Sequence, residues 1–315
     1  MTKFDLTHAR HDPAHCLAPG LFRSLKKCGG RKNGKLDVIY EFGKGQRIEF
    51  SGPEPLGVDD LRVLQGLVAM AGPAGLVLSP EPVTDTGLQL RLLMEPKWEA
   101  MQQNAMVVKG SYRSLAREIG KANIDDTLSI RDCIERLWKV SIIALSDGKR
   151  RGFRLLAEYA SDDTAGKLFV ALNPMIAQAI MGGNQHVRIN MWEVRSLKSD
   201  AARLMHQRLC GWIDPGKTRR VELDTLCSYI WPDMASASTM RKRRQRAKAS
   251  LAELMAIQWT VTEYAKGKFL ITRPTHDNGH ASHDISHESP RKRSRTGNVN
   301  LTDDKGLGAV EGCHP

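Results

Sequence analysis

Two stretches of this chain set residue types at spacings that chemistry could use. Gly211-Trp-Ile-Asp-Pro-Gly-Lys217-Thr218 reproduces the G-x-x-x-x-G-K-[ST] pattern of phosphate loops, in which backbone N–H groups at a helix start cradle a nucleotide and the lysine meets its phosphates. Arg241-Lys-Arg-Arg-Gln-Arg-Ala-Lys248 places six cations in eight residues, a density suited to the phosphate backbone of DNA. A smaller candidate is His11-Asp-Pro-Ala-His15, two imidazoles at a spacing that could share a metal ion.

The first and third of these fail on context. A phosphate loop is fed by a strand and opens a helix, whereas here the helical pattern Ala201–Ile213 runs in and the β-like Arg219-Arg-Val-Glu-Leu223 runs out. No acid in an apolar strand is placed to hold magnesium, so the match reads as a helix-ending turn. Pro13 separates the two histidines and keeps them off one helix face. His280, His283 and His287 lie in a segment with no apolar periodicity, and the His-hydrophobic-His triplet of a nicking enzyme is absent. The expectation is a protein without catalytic residues, cofactor or metal.

The basic run keeps its promise because it continues into Leu251-Ala-Glu-Leu-Met-Ala-Ile257. One helix over Ser236–Gln258 would hold its charges in fixed geometry. At about 100° per residue, Met240, Ala247, Leu251, Leu254 and Met255 share the core side, and Ser238, Thr239, Lys242, Gln245, Arg246 and Ala249 share the outward side. Gln245 suits adenine, Lys242 or Arg246 suits guanine, and Ala249 suits a thymine methyl. Arg241 and Arg243 flank this face and suit phosphates. Arg244 points toward the apolar side, where it must snorkel or pair with an acid. Lys266 and Lys268, and separately Lys149, Arg150 and Arg151, read as hairpin tips within reach of phosphates or a minor groove.

The chain has 315 residues, net charge +12 and pI near 9.5. Residues 275–315 carry a net −1, which leaves +13 on the rest, an excess that points to a polyanionic partner. No apolar run approaches the roughly 20 residues that span a bilayer, and the N-terminus lacks a signal-peptide core. The reading is a cytoplasmic protein with no membrane partner, its six scattered cysteines reduced.

The element order suggests what positions the basic helix. After an arm over 1–35, strands 36–42 and 46–50 precede a deeply apolar helix at Leu61–Met70. Helices at 111–119 and 126–139 then lead into a hairpin of 140–145 and 152–159. The order recurs as helix 201–213, strand 219–223, helix 224–231, the basic helix, and a hairpin of 259–264 and 268–273. The expected class is therefore mostly α with short antiparallel hairpins (α+β), as tandem winged-helix domains over 36–190 and 191–274 before a disordered tail, 275–315. Arg131, Asp132, Glu135 and Arg136 balance one another on the first domain's candidate recognition helix, which leaves that domain light DNA contact or self-association.

Arg10–Arg23, Phe50–Gly57, Leu64–Pro73, Cys133–Ala144 and Arg208–Thr218 resemble the RepC replication initiators of broad-host-range IncQ-type plasmids, over about residues 8–274. The resemblance implies a protein that binds directly repeated iterons in double-stranded origin DNA, promotes origin opening and controls plasmid copy number. It also implies a plasmid helicase and primase as partners, and a homodimer. A winged-helix transcriptional repressor is the alternative reading of the same residues.

Overall fold

The computed structural model describes residues 8–25, 34–42, 45–74, 76–78, 105–146, 148–162, 166–181 and 185–275. In chain order its first half comprises β1 (His8–His11), α1 (Pro13–Leu17), β2 (Leu36–Glu41), β3 (Arg47–Gly52), α2 (Val58–Ala74), β4 (Leu76–Leu78), β5 (Ala105–Gly110), α3 (Tyr112–Glu118), α4 (Thr127–Trp138), β6 (Ser141–Ser146), β7 (Lys149–Arg154), β8 (Leu156–Asp162), β9 (Lys167–Leu172) and α5 (Pro174–Met181). There follow β10 (Val187–Asn190), α6 (Met191–Ser196), α7 (Asp200–Trp212), β11 (Thr218–Glu222), α8 (Leu223–Ile230), α9 (Ala237–Ala256), β12 (Thr260–Ala265) and β13 (Lys268–Thr272).

The expectation of a mostly helical, tandem winged-helix protein does not hold. Among the described residues helix accounts for 42% and strand for 32%, and their strands form four antiparallel sheets: β1-β10, β2-β3-β6-β7, β4-β5-β9-β8 and β11-β13-β12. The decisive difference lies at 152–159, which reads as one strand in the sequence. Instead β7 ends at Arg154, and the buried Leu155 and Leu156 carry the chain from one four-stranded sheet to the other. Lys149, Arg150 and Arg151 are strand residues leading out of the β6–β7 turn, paired with Ser146, Leu145 and Ala144. On β7, an edge strand, exposed cations are tolerated and discourage pairing with another chain.

Helix α2 is the pivot of the core. Leu61, Val63, Leu64, Leu67, Val68, Ala69 and Ala71 are all buried, so it is apolar nearly all round and has neighbours on every side. Its start is fixed by Asp60, whose fully buried carboxylate accepts the Gly57 N–H at 2.7 Å and the Arg136 Nε–H at 2.8 Å. Arg136 is thereby turned inward onto α2 rather than outward. Removing one member of such a buried pair costs about 3–5 kcal/mol. Farther along, Gln65 donates to Gln207 of α7 at 2.6 Å, and Gln207 donates to the Cys16 sulfur of α1 at 3.0 Å.

The caps explain several boundaries. Ser111 forms a capping box with Ser114, and Asp126 and Ser199 accept N–H groups of the first turns of α4 and α7. Residues near the N-terminus enter the core directly, with β1 paired to β10 and Ala9, His11, Ala14, His15 and Cys16 buried. Cys16, Cys133, Cys210 and Cys227 are buried free thiols. Among the described residues no helix is long and apolar enough to cross a membrane. Residues 276–315, including the tail histidines, lie outside the described residues.

Candidate nucleic-acid interface

Ser236 caps α9, accepting the Thr239 N–H and bonding to the Ser238 and Thr239 hydroxyls. Ala247, Ser250, Leu251 and Leu254 are buried and Met240 packs on the core edge, at roughly 1.5–3 kcal/mol for each fully buried leucine. Met255, placed on the core side by the helical wheel, is 54% exposed. The core continues on either side of it, through Leu254 and Ile257, and Ser250, bonded back to the Arg246 carbonyl at 3.0 Å, takes an inward place the wheel left unassigned. Glu253 fastens α9 to the start of α7 by accepting the Lys198 and Ser199 N–H groups at 2.7 and 3.1 Å.

With the helix fixed, its cations divide by partner. Arg244 makes a two-bond pair with Asp224 of α8, at 2.6 and 2.7 Å, as its inward direction requires. Lys248 pairs with Glu263 of β12 at 3.2 Å. Arg243, expected on phosphate, is half-buried, donates to the carbonyls of Asp233 at 2.6 Å and Trp231 at 3.5 Å, and lies over the Trp231 ring. Trp231 is the C-cap of α8 and Asp233 lies two residues past it, so Arg243 closes the loop that follows the helix.

The remaining set is different. Arg241, Lys242, Gln245, Arg246 and Ala249 are exposed, and the four polar side chains among them hold no partner among the described residues. Ser238, Lys242, Gln245, Arg246 and Ala249 follow helical spacing down one stripe. From Ser238 to Ala249 the stripe runs about 17 Å, or roughly five base pairs of groove.

The closing hairpin is held close to this helix. Glu263 accepts the Gly267 N–H at 2.7 Å, and the Gly267 carbonyl accepts the Leu223 N–H at 2.9 Å. Gly267, at φ 71°, supplies the left-handed residue the turn needs. Lys266 stands exposed beside it, whereas Lys268 pairs with Glu222 at 3.2 Å. Sequence reasoning passed over Lys217, Arg219 and Arg220, all exposed at and along β11 of the same sheet. Their signal was present in the basic exit of the phosphate-loop lookalike. Lys149, Arg150 and Arg151 belong to another sheet, β2-β3-β6-β7.

The lookalike itself is a turn between α7 and β11, helix in and strand out. Its amides are already used, Gly216 N–H on the Arg273 carbonyl at 3.0 Å and Lys217 N–H on the Asp214 carbonyl at 3.0 Å. Gly211 sits inside α7 because α1 packs there: an added Cβ would meet the Cys16 Cβ at 2.7 Å.

A surface of this kind fits a protein of DNA metabolism, and the family comparison agrees. The model of replication protein C (RepC) matches residues 3–275. The chain belongs to the RepC family.

Membership makes it a DNA replication protein and accounts for the segments at 133–144 and 208–218 that carry the sequence resemblance. No curated protein matches this RepC-family chain in sequence. Among solved structures it is similar to RctB domains 2–3, with TM-score 0.50 and 10% identity over 82% of this chain and 95% of that one. It is also similar to a selenomethionine derivative of RctB domains 2 and 3, with TM-score 0.51 and 13% identity over 83% and 98%. At such identities the likeness is one of fold, and it takes the place of the tandem winged-helix expectation.

Proposed function

We propose that this RepC-family chain initiates plasmid replication by binding iterons in double-stranded origin DNA through α9. One observation carries the reading: on a helix whose other cations are tied to neighbouring elements, Arg241, Lys242, Gln245 and Arg246 are exposed without partners among the described residues. Gln245 with Lys242 or Arg246 reads base edges, Ala249 packs on thymine methyls, and Arg241 holds phosphate. Ser238 and Thr239 lie at the end of the helix nearest the backbone. Lys266, and Lys149 to Arg151 on the first half, add phosphate contacts.

On this reading the protein binds and deforms DNA rather than turning over a substrate, and needs no cofactor. It acts in the cytoplasm as a homodimer built through its first half, hands opened DNA to a plasmid helicase and primase, and sets copy number by its abundance. Footprinting on the plasmid's own origin tests this, with permanganate probing of unpaired thymines. Regularly spaced protection beside reactive thymines is expected. Protection without melting would favour a transcriptional repressor, and absent protection would overturn the reading.

A further inference from the structure

Away from α9, three ionisable side chains converge in the core where α6 meets α7. Glu193 comes from α6, and His206 and Cys210 lie one turn apart on α7. Glu193 Oε2 is 2.5 Å from His206 Nε2, the Cys210 sulfur is 3.5 Å from the same nitrogen, and all three donor atoms lie within 4.8 Å of one another. All three side chains are buried, at 6%, 0% and 3% exposure in that order. The Trp259 indole N–H donates to Glu193 Oε2 at 3.3 Å and aims the carboxylate inward.

A neutral His206 either donates Nε2–H to the Glu193 oxygen or, in its other tautomer, presents Nε2 as a lone-pair acceptor like that oxygen. Two acceptors at this distance repel unless a cation, a proton or a metal ion, lies between them. The His206 Nδ1 is buried with no partner among the described residues, so Nε2 is the nitrogen on which the neighbouring groups close. We propose that Glu193, His206 and Cys210 bind a zinc-class divalent cation, the three donors supplying one carboxylate oxygen, one imidazole nitrogen and one thiolate sulfur.

The donor chemistry favours this class. Magnesium and calcium take oxygen ligands, while a mixed O, N and S set is what zinc accepts. Zinc–ligand bonds of about 2.0–2.3 Å put tetrahedral donors roughly 3.3–3.8 Å apart. The Cys210–His206 distance already lies there, and Glu193 need retreat by only about 1 Å. A dication with a carboxylate and a thiolate is neutral overall, which removes the cost of burying unpaired charge. Binding displaces the Cys210 thiol proton and any proton shared by Glu193 and His206, and it fastens α6 to α7.

The test uses the full chain, purified without chelator and dialysed against metal-free buffer. About one zinc per chain is expected by elemental analysis. Cobalt(II) substituted for zinc should give a sulfur-to-cobalt charge-transfer band, and a zinc chelator should lower the unfolding temperature. Cys210→Ser should lose the band and at least tenfold in zinc affinity, whereas Cys133→Ser should retain both. If Cys210→Ser does not fold, Cys210→Asp, which keeps an anionic ligand, should hold zinc without the band. Absence of zinc from the wild type would leave a shared proton as the bridging cation and overturn the proposal. A band that persists in either Cys210 variant would place the metal elsewhere and also overturn it.

Discussion

Arg244 and Asp224 stand twenty positions apart in sequence and meet through two parallel hydrogen bonds, Nε to Oδ1 at 2.6 Å and Nη2 to Oδ2 at 2.7 Å. The pair bolts α9 to α8, and the bonds from Arg244 hold the Asp224 carboxyl below its ordinary range. Both side chains are about half exposed, so the contribution to stability is small. Its larger effect is on charge, because it withholds one cation of the basic run from any DNA on the outer face.

Asp224→Asn should release that cation. Affinity for random-sequence duplex should rise, and the slope of log affinity against log salt should steepen by about one, with the unfolding midpoint nearly unchanged. Anisotropy titrations over a salt series measure this. An unaltered slope would mean that Arg244 stays turned inward without its acid.

Gln245 and Arg241 separate two kinds of contact on one helix. Gln245→Ala should relax sequence preference, at about 1–3 kcal/mol of discrimination, and leave affinity for unrelated DNA nearly intact. Arg241→Ala should weaken all duplexes alike and flatten the salt slope by about one. A uniform loss for Gln245→Ala, or an unchanged slope for Arg241→Ala, would remove the respective role.

Much of this arrangement is legible in the sequence where local chemistry decides it. The bounds of α7 to β13 and the outward stripe of α9 follow from periodicity. What escapes is partner choice. Periodicity says that Arg244 faces inward but not that Asp224 receives it, and it cannot show that the carbonyls of Trp231 and Asp233 claim Arg243. The sheets escape for a related reason: nothing local at Leu155 marks the change of sheet that undoes the winged-helix reading, since a strand pattern reports faces and not neighbours.

Two histidines near the N-terminus make stability depend on pH. His11 is buried with both ring nitrogens unpartnered among the described residues; burial first, then the neighbouring His15, push its pKa down to about 3. Burial also lowers the pKa of His15, against the pull of Asp12. Both stay neutral in the fold while the unfolded chain takes up protons below pH 6.5, so stability is lost as pH falls from 6.5 toward the folded values. Each histidine contributes a slope of about 1.4 kcal/mol per pH unit. Urea midpoints between pH 6.5 and 5 should therefore decline, and His11→Leu should flatten the decline by about one proton. The same slope in the variant would show that His11 protonates without unfolding.

Two glycines inside helices should respond oppositely to alanine. At Gly72, in α2, an added Cβ meets nothing within 4 Å, so Gly72→Ala should gain up to about 1 kcal/mol from helix propensity alone. At Gly211, in α7, the same methyl would lie 2.7 Å from the Cys16 Cβ and 3.0 Å from Leu17 Cδ2. The Cys16 Cβ cannot rotate away, and α1 is pinned by the Asp12 cap and by the β1–β10 pairing on its N-terminal side. Overpacking of roughly 1–3 kcal/mol should then outweigh the propensity gain of up to about 1 kcal/mol and leave Gly211→Ala less stable by up to about 2 kcal/mol. Urea unfolding of both variants decides it, and a Gly211→Ala protein as stable as Gly72→Ala would show that α1 can slide along α7.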